Sequence, residues 1–310
     1  MKHFLQRSFY AVVLLSLMLS SCADEKLEFP TSARIFYSVV DRQAAFTALA
    51  NSANTYSWDF GDGTTSTEKN PVHVYSSGGY YRVILSVQGK TGTDADTAVL
   101  AVDLTPYVLL TGGPTAVNGK TWKLAGGHSK DKFADANQNL SGTAGVPDPL
   151  PSGVFGSIGM GEVYEDTYTF YFDGTYKHDV KADGAAFGGI VHQFLTDGGA
   201  NLVNTNGSSY GLCTAKFTPE TSATFTFTES EDFPVLSVYG APPNYLVTHK
   251  GVKTLSFSGK EFIGFWDVQR KVIVQEVTDN SMRLVMFMAA SDVYYPAATH
   301  ALVLSFEVVK

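Results

Sequence analysis

Cysteine is nearly missing from this chain. Its 310 residues contain two, Cys22 and Cys213, too few for a zinc site built on several thiolates or for a disulfide-stapled scaffold. Positive charge is short as well. Lys and Arg total 22 against 30 Asp and Glu, a net charge of -8, which argues against a nucleic-acid-binding surface. No amphipathic pattern longer than two helical turns occurs, so a helical bundle is excluded. Some catalytic signatures are missing too. There is no His-Glu-x-x-His, and the 7 histidines are scattered without helical metal-ligand spacing. Two glutamates flanking an aspartate at alternate positions of one strand, the mark of one glycosidase class, are absent. No cofactor is implied; a structural calcium would suit such a chain, but no residue set locates it.

The apolar run at the start, AVVLLSLMLSS, is too short to span a bilayer and follows Lys2 and Arg7. It ends in Leu19-Ser20-Ser21-Cys22, which resembles a bacterial lipobox. The expectation is a signal peptide over 1–21 and a lipid on Cys22, leaving Cys213 unpaired in the mature chain. Residues 22–32 then form a tether. Its Asp24 and Glu25 resemble the acidic patch that sends Bacteroidetes lipoproteins to the outer face of the outer membrane, so the anchored protein is expected to face the exterior.

The rest reads as short strands separated by turn residues. ARIFYSVV, YYRVILSV, DTYTFYF, ATFTFTES, KVIVQEV, SMRLVMFM and HALVLSFEVV are rich in Val, Ile, Thr, Tyr and Phe. FDGTY and VTDNSM place Asp-Gly and Asp-Asn where hairpin turns belong. The fold class is therefore all-β. Thr105-Pro106, Gly112-Gly113 and Pro114 interrupt the pattern, so 104–118 reads as a linker between a small sandwich at 33–103 and a larger sandwich or jelly roll at 119–310.

YSWDFGDGTTS, residues 56–66, poses the question of chemistry in the smaller domain. Asp59 and Asp62 sit three apart on a strand entering a turn, so they cannot face one another across a scissile bond. The stretch lacks the lysine and following helix of a phosphate loop. It reads as strand, tight glycine turn, strand. Trp58-Asp59-Phe60-Gly61-Asp62-Gly63, then Asn70-Pro71-Val72-His73-Val74-Tyr75, then Gly79-Tyr80-Tyr81-Arg82-Val83-Ile84-Leu85-Ser86-Val87 resemble a PKD domain in order and spacing. The resemblance implies an immunoglobulin-like β-sandwich with the tryptophan in its core, a structural His73, and a spacer role.

Function then falls to 119–310. Aromatic and polar residues gather in its connections. Tyr239, Asn244 and Tyr245 surround a Pro-Pro turn, Trp266 and Asp267 end an apolar strand, and Tyr294 and Tyr295 precede Pro296. Sugars present apolar C–H faces to flat rings and hydroxyls to side-chain amides and carboxylates, so this set is the candidate carbohydrate-binding site. Trp266, Tyr245 and Tyr294 are expected to share one groove, whereas Trp122, inside TWKLA, is expected in the core. The acidic cluster Glu162, Glu165 and Asp166 reads as the charged approach to a hairpin. Residues 126–162, rich in Gly, Pro and Ser, read as a long loop, either folded over a binding face or mobile.

Lipobox, PKD-like blocks and C-terminal β domain together resemble the surface lipoproteins of Bacteroidetes polysaccharide-utilisation loci. That resemblance implies a non-catalytic protein that captures polysaccharide, with a β-glucan such as laminarin as first expectation, for a SusC/SusD-type importer. An extracellular glycosidase or lyase, and an adhesion or structural protein, are the alternatives.

Overall fold

The computed structural model describes residues 29–209 and 211–310. The expected signal segment 1–21, Cys22 and the tether up to residue 28 lie outside them. Among the described residues no helix is long and apolar enough to cross a membrane. The chain is all-β, as expected, and divides into two compact units, the second containing 99–310.

In the N-terminal region, a three-stranded sheet of Ser32–Val40, Gln43–Asn51 and Val72–Val74 accompanies a four-stranded sheet of Thr65–Ser66, Ala53–Asp59, Gly79–Gly89 and Gly92–Val102. Carboxylates tie the sheets together: Asp94 and Asp96 accept from the Ala33 and Ile35 amides, each at 2.8 Å. Trp58 is fully buried, with Phe46 at 5.2 Å between ring centroids, and its Nε1 donates to the Glu68 carbonyl at 2.9 Å. The GDG stretch is the turn that was expected. Phe60 N donates to Thr64 O, and Asp59 pairs with Thr65 across the ladder. Gly61 has φ +77, and a Cβ there would meet the Arg82 carbonyl at 2.6 Å, so a larger residue is excluded twice over. Asp62 hydrogen-bonds His73 Nε2 at 2.7 Å, and the imidazole stacks on Phe60 at 4.2 Å. His73 is thus structural: it braces the turn.

The larger unit is built on a nine-stranded antiparallel sheet. Its order runs Tyr176–Asp179, Thr167–Phe170, Lys120–Leu124, His300–Val308, Ser281–Met288, Val272–Val277, Leu246–Phe257, Phe225–Ala241, with Lys132–Asp135 also paired to His300–Val308. Strand alternation sends Leu302, Leu304 and Phe306 to one face and Ala301 and Val303 to the other, and both faces are buried. The two outermost strands approach one another at one end. Tyr176 N donates to Ala223 O and Phe225 N to Gly174 O, so part of the sheet edge is satisfied by the sheet itself. A second sheet of Ala185–Gly189, Leu212–Lys216 and Leu202–Asn204 sends Phe187 into the main core, completing a β-sandwich. The Asp173-Gly174 and Asp279-Asn280 hairpin turns form where the sequence places them. Cys213 is fully buried, and desolvation with the nearby Asp267 carboxylate pushes its thiol up to about 12, so it is inert.

Two stretches carry more structure than their composition signals. Residues 104–118, read as a linker, contain a helix over Pro106–Thr111. The Thr105 side chain caps its start, Pro106 occupies its first turn, and Gly112 ends it at φ 84. Leu110 joins the main core, and its carbonyl accepts from Trp122 Nε1 at 2.9 Å. Trp122 is fully buried, as expected. Residues 126–162, read as a loop that is mobile or folded over a binding face, are instead built into the sandwich. Lys132–Asp135 joins the sheet, while Leu150, Phe155 and Met160 enter the core. A buried chain holds this segment: His128 Nδ1 to Asp131 at 2.8 Å, His128 Nε2 to the Tyr164 hydroxyl at 2.7 Å, and Ser305 Oγ to Asp131 at 2.5 Å.

Candidate functional site

The site starts from strand Phe225–Ala241 and the connection that follows Ser281–Met288. Val238 N donates to Ala298 O at 3.1 Å and Ala298 N to Leu236 O at 2.8 Å, which sets the end of the 289–298 connection beside the strand. The turn after the strand folds back on it. Tyr245 N donates to Ala241 O, and Ser237 N donates to Tyr245 O at 2.8 Å. Tyr245 has φ 51, a left-handed conformation unusual for a bulky residue, and these two bonds hold it there. Gly240 permits the crossing, because a Cβ would sit 2.1 Å from the Tyr245 carbonyl carbon.

The result is a groove of about 310 Å³ lined by Leu236, Val238, Tyr245, Val293, Tyr294 and Ala297. The two tyrosines are 47% and 59% exposed, so both rings offer a face to a ligand. Neither Val238 nor Leu236 is fully sheltered; Leu236 is 38% exposed. A smaller hollow of about 120 Å³ shares Leu236 with the groove and is lined also by Val268 and Gln269. The lining is mainly apolar, and it can take the C–H face of a ring.

Of the residues chosen from sequence, Tyr245 and Tyr294 come together in this groove. Tyr239 does not line it: two positions from the buried Ser237, it hydrogen-bonds Asp135 instead. Asn244 is exposed in the turn, outside the groove lining. Tyr295 points elsewhere, its hydroxyl 3.1 Å from His192 Nδ1. Burial, and then Arg270, hold the His192 pKa below its ordinary value.

Trp266 departs from expectation. It is partly buried against Phe217 at 5.1 Å, Phe262 at 5.9 Å and His192 at 5.9 Å, and it is not in the groove lining. The reason is its backbone, which bridges to Gly188 of the short sheet and turns the ring under that sheet. The expectation that Trp266 shares a groove with Tyr245 and Tyr294 is therefore corrected.

Asp267 is likewise no contact residue. It is fully buried, and its carboxylate accepts from the Val268 and Ala289 amides, the latter at the start of the Tyr294 connection. Its Oδ2 has no partner and occupies the place where a Gly189 Cβ would lie, 2.1 Å away. Desolvation raises its pKa to about 7, against the two backbone bonds. Asp267 positions the connection from behind.

Leu236, Val238, Val293 and Ala297 were missed. Aliphatic residues of this kind look the same in sequence whether they face a core or a groove. The acidic cluster also resolves. Glu162 lies in the short 3-10 turn Gly161–Tyr164, and Asp166 is 1% exposed, its pKa raised to about 8 by desolvation and then by Asp183. Among the described residues, no three His, Cys, Asp or Glu side chains are grouped to hold a metal. The smaller domain carries a concavity of about 620 Å³ across its four-stranded sheet, lined by Thr, Ser, Gln and Asp with one aromatic, Tyr56.

Residues 37–104 match the PKD domain family. Over 51 residues the chain is 51% identical to collagenase ColQ1 of Bacillus cereus (strain Q1), and over 47 residues 51% identical to a microbial collagenase of Vibrio alginolyticus. These matches take in 16% and 14% of this chain but only 5% and 6% of the collagenases, so the chain spans about a twentieth of the curated relatives it matches. The PKD1 domain of the Vibrio cholerae metalloprotease PrtV is 31% identical over 24% of this chain and 99% of its own, with a TM-score of 0.23. A structure of carbohydrate-binding modules from the β-sandwich superfamily aligns over 91% of this chain and 92% of its own at 13% identity. Its TM-score is 0.25.

Proposed function

We propose that the protein is a non-catalytic glycan-binding lipoprotein whose larger β-sandwich holds polysaccharide in the Tyr245/Tyr294 groove. The single observation that carries this reading is that two half-exposed tyrosine rings from separate connections line one apolar groove. Exposed aromatics fixed on a rigid scaffold suit sugar faces, because little conformational entropy is lost on stacking. The two acids with strongly raised pKa values, Asp166 and Asp267, are 1% and 0% exposed, and neither lines the groove, which favours binding over hydrolysis. In this reading the PKD domain is a spacer, a lipid on Cys22 anchors the chain in the outer membrane facing the exterior, and a SusC/SusD-type importer receives the captured glycan.

The test is native affinity electrophoresis of the purified protein in gels containing laminarin, mixed-linkage glucan, xylan, mannan, starch or pectin, with reducing ends assayed in parallel. The expected outcome is retardation by one polysaccharide with no release of reducing sugar. Sugar release would overturn the non-catalytic reading and move attention to Glu162 and Asp166. Free migration in every gel would favour an adhesion or structural role.

A further inference from the structure

A second depression is lined in part by the connection that carries Tyr294. It measures about 480 Å³, and Phe194, Leu195, Ser209, Ser291 and Asp292 are among its walls. Phe194 and Leu195 belong to the helix Ile190–Asp197, whose Ile190, Val191, His192 and Gln193 are buried. Those two apolar residues are nevertheless 46% and 50% exposed. Val293, which follows Asp292 in the chain, is 79% exposed. Exposed apolar side chains gathered at one cleft, as Phe194 and Leu195 are, mark an interaction or ligand-binding surface.

The two depressions share one stretch of backbone. Ser291 and Asp292 line the second cleft, while Val293 and Tyr294 line the tyrosine groove. Consecutive Cα atoms are about 3.8 Å apart, so the walls abut within the length of a single sugar ring. The second cleft also repeats the chemistry of the first with hydroxyl partners added. The Phe194 ring can take a sugar face, and Ser209, Ser291 and Asp292 offer donors and acceptors to hydroxyl groups.

Charge selects among glycans. Among the described residues no Lys, Arg or His lines either depression, and Asp292 is the one carboxylate. A uronate or sulfated chain would bring carboxylate or sulfate groups into apolar walls with no cation to meet them, beside Asp292 and on a chain of net charge -8.

We infer that the binding site continues from the Tyr245/Tyr294 groove into the Phe194/Asp292 cleft and that its occupant is an uncharged polysaccharide chain long enough to fill both. This rests on the glycan-binding reading above and adds a second subsite and a ligand class to it.

The test uses gels of laminarin, mixed-linkage glucan, mannan or starch, with polygalacturonate as the acidic counterpart, and the variants Phe194→Ala and Ser291→Trp. The first removes the ring; the second fills the cleft, so the inference does not depend on one substitution. A neutral polymer is expected to retard the wild type, and each variant to raise its apparent dissociation constant three- to tenfold while circular dichroism stays unchanged. Polygalacturonate is expected to leave migration untouched. Retardation of both variants equal to wild type would overturn the second subsite and leave the tyrosine groove standing. Retardation by polygalacturonate would overturn the uncharged ligand class. Free migration of the wild type in all gels would overturn the glycan reading itself, and this inference with it.

Discussion

Replacing Tyr294 with alanine should weaken polysaccharide binding about tenfold or more, and replacing Tyr245 and Tyr294 together should remove detectable retention. A tenfold change is about 1.4 kcal/mol, and an aromatic anchor at the centre of a binding surface contributes that much or more. The two rings are the aromatic members of the groove, and their remaining neighbours are aliphatic. Folding should be spared, since both rings are about half exposed and surface substitutions of this kind change stability by about 0.5 kcal/mol or less. Phenylalanine separates the mechanisms. If stacking carries the affinity, Tyr294→Phe keeps most of it, whereas a loss equal to that of alanine would assign the role to the hydroxyl. Affinity gels run on the single, double and phenylalanine variants read this directly. A double alanine variant retarded as strongly as wild type would remove the groove from the account.

The second large effect concerns Asp267. Its folded pKa of about 7 stands above the ordinary 3.8, because burial disfavours the charged form more than its two backbone partners favour it. The folded state then holds a proton that the unfolded state releases. Stability should fall as pH rises from about 4 to about 7 and level off above, by about 1.4 kcal/mol per pH unit and about 4 kcal/mol at the limit. Asp267→Asn keeps an acceptor for the Val268 and Ala289 amides and carries no charge. The variant should match the wild type near pH 4 and exceed it at pH 8. Urea denaturation at the two pH values measures the difference. Asp166, raised to about 8, titrates through an overlapping range, so some fall in stability with pH should survive in the variant and shrink further with Asp166→Asn added. An Asp267→Asn protein less stable than wild type at pH 8 would show that the ionised carboxylate supports the fold.

Much of the architecture is visible in the residues themselves. Alternating Val, Ile, Phe and Tyr mark the long strands, and Asp-Gly and Asp-Asn mark their turns, because both signals are local. The PKD-like blocks are visible for the same reason: Trp58, Gly61 and His73 each meet a steric or hydrogen-bonding demand within a few strands. The segment 126–162 is different. Its core contributors Leu150, Phe155 and Met160 follow neither the strand nor the helix period, and what fixes them is the His128–Asp131–Ser305 chain, which joins residues 174 positions apart. The site divides in the same way. Tyr245 and Tyr294 stand out as aromatics in turns, whereas the place of Trp266 depends on a bridge to Gly188 that no local pattern announces. Asp267 was chosen for its polarity, yet the aligned backbones of Val268 and Ala289 take its carboxylate into the interior.

The most direct measurement is a crystal structure of the protein grown with oligosaccharides cut from whichever neutral polysaccharide retards it. The expected result is a sugar ring lying flat on Tyr294 or Tyr245, with the chain running past Asp292 toward Phe194. Density for the ligand against Trp266, or on the sheet of the PKD domain around Tyr56, with the tyrosine groove empty, would contradict the account.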